Sequence, residues 1–178
     1  MQNHRAAARY AKSIIELAEE TNVLDQVKDD MELFLKVCKE NRVFNVVLKN
    51  PVIPHAQKRA VLDKLFSDKM NKLTVSAFDL ITKKNRENIL DTIATEYLEE
   101  YNQLKGIQKA VITTTYAIDE KEKKAFSQVV KNISNKKAEL ELHIDEDIIG
   151  GFVMNISDKQ LDESIKTKLN KIQKELTA

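Results

Sequence analysis

The amino-acid sequence predicts an α+β fold that is mostly α, an N-terminal six-helix bundle followed by a small α+β unit, and two observations carry that prediction. Apolar residues recur with a helical period from the start of the chain to about Leu104, and past Gly106 the pattern changes to β-branched runs and period-two alternation. The composition agrees: 42% of the residues are apolar, 32% charged and only 6% aromatic, which suits many amphipathic helices better than one bulky core. The change of period places a boundary between residues 1–105 and 106–178.

Each element follows from its spacing. Ala7, Tyr10, Ala11, Ile14, Leu17 and Ala18 form one helical stripe. After a break at Thr21-Asn22, a second stripe runs through Leu24, Val27, Met31, Phe34, Leu35 and Cys38. Val43 to Leu48 is a short apolar piece that ends at Asn50-Pro51, and Pro54 opens a fourth helix with Ala60, Val61, Leu62, Leu65 and Phe66. A fifth stripe includes Met70, Leu73, Val75, Ala77, Phe78, Leu80 and Ile81, and a sixth Ile89, Leu90, Ile93, Ala94, Tyr97 and Leu98. In the second half, KAVITTTYAI and AELELHIDE read as strands. Between them, Asp119 and Glu122 have capping-box spacing ahead of Ala125, Phe126, Val129, Val130 and Ile133. FVMNIS reads as a third strand, and Asp162 is expected to open a last helix carrying Ile165, Leu169, Ile172 and Leu176.

Composition and motifs exclude several function classes. With 29 basic and 28 acidic side chains interspersed, the chain has no sustained positive field for nucleic acid. No apolar stretch approaches the roughly 20 residues that span a bilayer, so direct membrane insertion is not expected. The single cysteine, Cys38, rules out an intrachain disulfide or a thiolate-rich metal site. His4, His55 and His143 stand apart without metal-ligand spacing, and no serine sits in a nucleophile elbow. Catalytic, cofactor and metal sites are accordingly expected to be absent.

Gly150-Gly151 supplies two of the three glycines in the chain. A phosphate loop needs spaced glycines between a strand and a helix, usually with a Lys and a Ser or Thr. Here the order is strand, glycine pair, strand, which fits a tight turn or bulge that lets FVMNIS pair with AELELHI. What remains is a binding role. Two neighbouring helices of a bundle can accept a third amphipathic helix in an apolar groove, and the first helix is a candidate because Ala7, Ala11 and Ala18 permit close approach.

Three stretches carry a resemblance to a known family. ARYAKSIIELA at 8–18 is similar to an opening Arg-x-Tyr-Ala helix. ITKKNRENIL at 81–90 is similar to an apolar stretch followed by Asn or Lys, then Gly or Asn, then Arg and an apolar tail. IIGGFVMNISDKQLDESIKTKL at 148–169 is similar to a glycine-containing strand, a turn and an Asp-x-Ser helix start. On these residues the chain resembles, along essentially its full length, the delta subunit of F-type ATP synthases, called the oligomycin-sensitivity-conferring protein in mitochondria. It departs from the common pattern at Asn155, where an Arg is usual, and at Glu163, where a Gly is usual.

The resemblance implies a non-catalytic stator subunit that resists rotor torque and so couples proton translocation to ATP synthesis. It implies that residues 1–105 bind the N-terminal helices of alpha subunits on the catalytic head, and that 106–178 bind the b subunits of the peripheral stalk. Carried onto this sequence, the head-binding groove lies between the first and fifth helices and involves Tyr10, Ala11, Ile14, Ala77, Leu80 and Ile81, bordered by Lys84 and Arg86. Gly150 and Gly151 would form a structural turn, and Asp162 and Ser164 would cap the last helix. The implied location is peripheral, at the cytoplasmic face of a bacterial inner membrane. A different class of reading from the residues alone is a free-standing helical adaptor that binds an amphipathic helix in another assembly.

Overall fold

The computed structural model describes the backbone of residues 2–116, 118–145, 148–156 and 159–177, with side chains at 4–116, 118–145, 148–156 and 159–173. Of the residues named above, Ala117, Glu146, Ser157, Asp158 and the side chain of Leu176 lie outside these. The chain divides into two compact units, Met1–Tyr101 and Asn102–Ala178.

Unit one is helical: α1 (Gln2–Glu20), α2 (Leu24–Glu40), α3 (Arg42–Lys49), α4 (His55–Phe66), α5 (Lys72–Lys83), a 3-10 turn (Glu87–Ile89) and α6 (Leu90–Leu104), which belongs to this unit as far as Tyr101. The small stripe Ala7, Ala11 and Ala18 is fully buried, and α1 packs on α2 and α5. Phe34 is the hub of the core, with edge-on or tilted contacts to Phe44, Phe66 and Phe78 at ring separations of 6.1, 5.6 and 4.9 Å.

α1 and α5 stop in the same way. Asn22 and Asn85 adopt left-handed backbone with φ of 55° and 58°. Val23 N–H then donates to Ala18 O at 3.0 Å and Arg86 N–H to Ile81 O at 3.1 Å, which satisfies late carbonyls of each helix. α5 is also capped twice at its start. Leu73 N–H donates to the Asn71 side chain at 2.9 Å, and the buried Asp30 of α2 accepts from Asn71 N–H at 2.8 Å and Thr74 Oγ1 at 2.5 Å.

α4 departs from its expected face. The buried positions are Lys58, Leu62 and Phe66, whereas Ala60 and Leu65 are exposed. The reason is an internal ion pair. Lys58 Nζ donates to Glu87 Oε1 at 2.7 Å and to Leu48 O at 3.0 Å, and His55 Nδ1 lies 2.9 Å from the same Glu87 oxygen. Burial pushes the Glu87 carboxyl up, but hydrogen bonds from Lys58, from its own backbone and from His55 outweigh that and hold it below the ordinary 4.5. A depressed folded value means that the stabilisation is complete above the unfolded carboxylate range and is lost as pH falls through the folded value. The stability gap between the natural chain and a Glu87→Gln variant is therefore expected to narrow below about pH 4.5. Urea midpoints measured at neutral and acid pH check this; a constant gap would contradict it.

Unit two contains β1 (Ile107–Thr114), α7 (Glu120–Ser134), β2 (Lys137–Ile144), β3 (Phe152–Ile156), β4 (Lys159–Asp162) and α8 (Ile165–Thr177). The sheet order is β2-β1-β3-β4. β1 and β2 run parallel because α7 intervenes, while β1–β3 and β3–β4 are antiparallel. β3 thus pairs with β1, not with β2 as the sequence suggests. The central place of β1 explains its β-branched run, with Ala110, Ile112 and Thr114 buried. Val130 of α7 and Met154 and Ile156 of β3 complete the core, and Phe126 meets Phe152 edge-on at 4.9 Å.

Asp119 caps α7 through a reciprocal pair: Glu122 N–H donates to its side chain at 2.7 Å and Asp119 N–H donates to Glu122 Oε2 at 3.0 Å. Asp119→Ala is expected to cost about 1 kcal/mol, read from urea unfolding.

Candidate functional site

α1 and α5 leave an open groove of about 510 Å³ between them. α1 contributes Tyr10, Ser13, Ile14 and Leu17, which share one face at spacings of three or four residues, Ser13 and Ile14 being neighbours, and the turn after it adds Thr21. α5 contributes Lys72, Leu73, Ser76, Ala77, Leu80 and Ile81. Ile14 and Ile81 are buried and form the floor, whereas Leu17 is 48% and Leu80 53% exposed on the rim. Ser13, Ser76 and Ala77 are too small to fill the space between those leucines. The outcome is a continuous apolar trough about the size of a helix face, with charge only at its ends.

Five of the expected groove residues, Tyr10, Ile14, Ala77, Leu80 and Ile81, line this trough. Ala11 does not. It is fully buried on the stripe that faces the bundle interior, so nothing that enters the groove reaches it. Lys84 is exposed at the C-cap of α5 and lies outside the lining. Arg86 is brought back toward α1 by the left-handed turn at Asn85, and its guanidinium lies 5.7 Å from the centre of the Tyr10 ring. The lining also includes Leu17, Ser13, Leu73 and Ser76, which the expected set lacks. Leu17 is visible in the first stripe, but nothing in the pattern distinguishes its exposed flank from the buried one.

Gly150, Gly151, Asp162 and Ser164 assemble into one joint in unit two. Gly151 has φ of +83°, and a Cβ there would stand 2.4 Å from the carbonyl oxygen of Glu163. Ile165 N–H donates to Gly150 O at 2.9 Å and Glu163 N–H to Phe152 O at 3.0 Å, so the glycine pair and the start of α8 are bonded backbone to backbone. Asp162 is the last residue of β4 rather than the opening of the helix, because KQLD adds a fourth strand beside β3. From there it accepts from Ser164 N–H at 2.9 Å and Thr167 Oγ1 at 2.8 Å, while Ser164 Oγ accepts from Thr167 N–H at 3.2 Å. Those bonds hold the Asp162 carboxyl below the usual range. Beyond this joint, Ile165, Leu169 and Ile172 of α8 form an exposed apolar face.

Chemistry is little provided for elsewhere. Among the described residues no cluster of three His, Cys, Asp or Glu could hold a metal ion. Burial pushes the Cys38 thiol up to about 11, so it is protonated at neutral pH. No helix of the described residues is long and apolar enough to cross a membrane.

The sequence profile of the ATP synthase delta (OSCP) subunit matches residues 6–176. ATP synthase subunit delta of Cytophaga hutchinsonii is 41% identical over 177 residues, covering 99% of this chain and 97% of that one. The corresponding subunit of Christiangramia forsetii is 35% identical over 176 residues, covering 99% and 95%. Among solved structures, a chain of the Toxoplasma gondii mitochondrial ATP synthase hexamer superposes with a TM-score of 0.74 at 22% identity, covering 97% of both chains, which supports the fold.

Proposed function

Since the chain belongs to the ATP synthase delta (OSCP) subunit family and is thus a non-catalytic stator subunit of F-type ATP synthase, we propose that its α1–α5 groove holds an N-terminal helix of an alpha subunit, while its second unit holds the b subunits of the peripheral stalk. The observation that carries the first contact is the apolar trough itself, with two half-exposed leucines and no side chain of its own to cover them. An amphipathic helix with anchors three and four residues apart fits such a surface. Covering the exposed half of each leucine contributes on the order of 1 kcal/mol apiece.

The second contact is supported by the open face of α8 and by the joint that fixes its start to the sheet. A helix anchored through backbone hydrogen bonds at one end transmits a pull to the sheet without side-chain slack. Torque resistance needs both contacts at once, and linking them on one chain raises the effective concentration of the second. The location that follows is peripheral, at the cytoplasmic face of a bacterial inner membrane, with attachment through the complex.

The test is reconstitution. Membranes stripped of the catalytic head are rebound with head in the presence of the full chain, and proton-coupled ATP synthesis is measured. The natural chain is expected to restore head retention and coupling, and Leu17→Asp to restore neither. Full coupling with Leu17→Asp would overturn the groove assignment. Binding of a helical peptide without any restored coupling would favour an adaptor in another assembly.

A further inference from the structure

The trough does not end at Tyr10. Tyr10 and Ser13 are shared with a second depression of about 520 Å³, whose other walls are Arg5, Ala6, Arg9 and Arg86. Three arginines thus line one end of the apolar groove, and among the described residues no ion pair joins any of them to a carboxylate. Some other cations of the same unit are neutralised, Lys49 by Asp91 at 2.6 Å, Arg59 by Asp79 at 2.6 Å and Lys83 by Asp79 at 2.8 Å, and the lysines without such a partner among the described residues are scattered rather than gathered around one depression.

The helix that carries two of these arginines gains nothing from them. Arg5 stands near the N-terminal end of α1, where the helix dipole favours anions and no acid is present in the first turn. Arg5 and Arg9 are four residues apart, so their charges repel along one face. Both intrahelical effects oppose the pair, and a bound anion reverses both. Arginine also suits the task, since its planar fork of donors matches a carboxylate in two-point contact. The contact with Tyr10 restrains Arg86, which lowers the entropic cost of presenting it.

We propose that this arginine-walled pocket is a carboxylate-binding extension of the groove, which receives Asp or Glu side chains of the docked helix and so fixes its direction. The inference rests on the groove reading and goes beyond it by naming the chemistry and the end of the partner that must be acidic. A helix with the same apolar anchors but its acids at the opposite end would bring them to the Thr21 and Lys72 end, where a single lysine stands in place of three arginines.

The test uses the full chain and a synthetic peptide of the alpha subunit's N-terminal segment, titrated at several salt concentrations. Arg5 and Arg9 are exposed, so replacing them leaves the core intact. Arg5→Gln and Arg9→Gln are each expected to weaken binding about two- to fivefold at low salt, and together to flatten its salt dependence. Replacing the peptide's acids with Gln is expected to give the same loss with the natural chain and no added loss with the double variant. Unchanged affinity and salt slope in the double variant, with Leu80→Asp still abolishing binding, would overturn this inference and leave the groove. Binding that survives Leu80→Asp as well would overturn the groove reading. If millimolar inorganic phosphate binds the free chain through Arg9, while acidic and Gln peptides bind alike, the pocket serves a free anion and the proposal fails.

Discussion

Replacing Lys58 with Ala is expected to destabilise the helical unit by about 3–5 kcal/mol, because the change strands a buried carboxylate. Lys58 and Glu87 are only 2% and 3% exposed. One oxygen of Glu87, Oε2, already lacks a side-chain partner, so the lysine and His55 supply all of its side-chain compensation, through Oε1. Removing the lysine also orphans the Leu48 carbonyl and leaves space where its stem packed. The pair itself is worth far less than either half alone, since two desolvated charges roughly repay their own burial. The double change Lys58→Met with Glu87→Leu is accordingly expected to cost under about 2 kcal/mol. Urea unfolding of the natural chain, Lys58→Met, Glu87→Leu and the double variant, arranged as a double-mutant cycle with Lys58→Ala measured beside it, checks both numbers. Additive losses would show that the two side chains do not depend on each other.

Gly151→Ala is the second large effect, expected at about 2–4 kcal/mol and confined to the second unit. The left-handed backbone at this position costs any side chain something, but the greater part is steric. The new Cβ would meet the Glu163 oxygen at 2.4 Å and the Ser164 Cα at 3.1 Å, and these are backbone atoms tied in place by the β4–α8 joint. Gly106 separates the two causes. It too has positive φ, +62°, yet a Cβ added there would meet nothing within 4 Å, so Gly106→Ala is expected to cost only about 1 kcal/mol. Equal costs at the two glycines, measured by thermal unfolding, would rule out the close approach as the reason for Gly151. Gly150 is softer, since its added Cβ would meet only the flexible end of the Ile165 side chain.

The helical half is legible because each helix buries one apolar stripe and ends at a residue that can turn, Asn22 and Asn85 among them. Where sequence and structure part there, the physical origin is shared. Lys58 reads as solvent-facing because charge normally marks the outside, and its partner Glu87 lies 29 residues away in sequence. Ala11 reads as a groove residue because a stripe spans a wide arc. Tyr10 and Ala11 are about 100° apart on the helix, enough to put one on the rim and the other in the core. In the second half, β4 leaves little trace because Leu161 is its one apolar residue, too little for a strand pattern. The partner of β3 is likewise set by the order of strands around β1, which alternation within a strand does not encode. The Gly-Gly and Asp-x-Ser signals are both visible in the sequence, but only the fold shows them as the two sides of one joint.

The groove is tested most directly by calorimetric titration of the full chain with the alpha subunit's N-terminal peptide, repeated with Leu80→Asp. The natural chain is expected to bind with a negative heat-capacity change, the mark of apolar burial, and the variant to bind at least about 100-fold more weakly because a charge replaces a rim leucine. Binding of equal strength to a folded Leu80→Asp chain would contradict helix-in-groove recognition between α1 and α5.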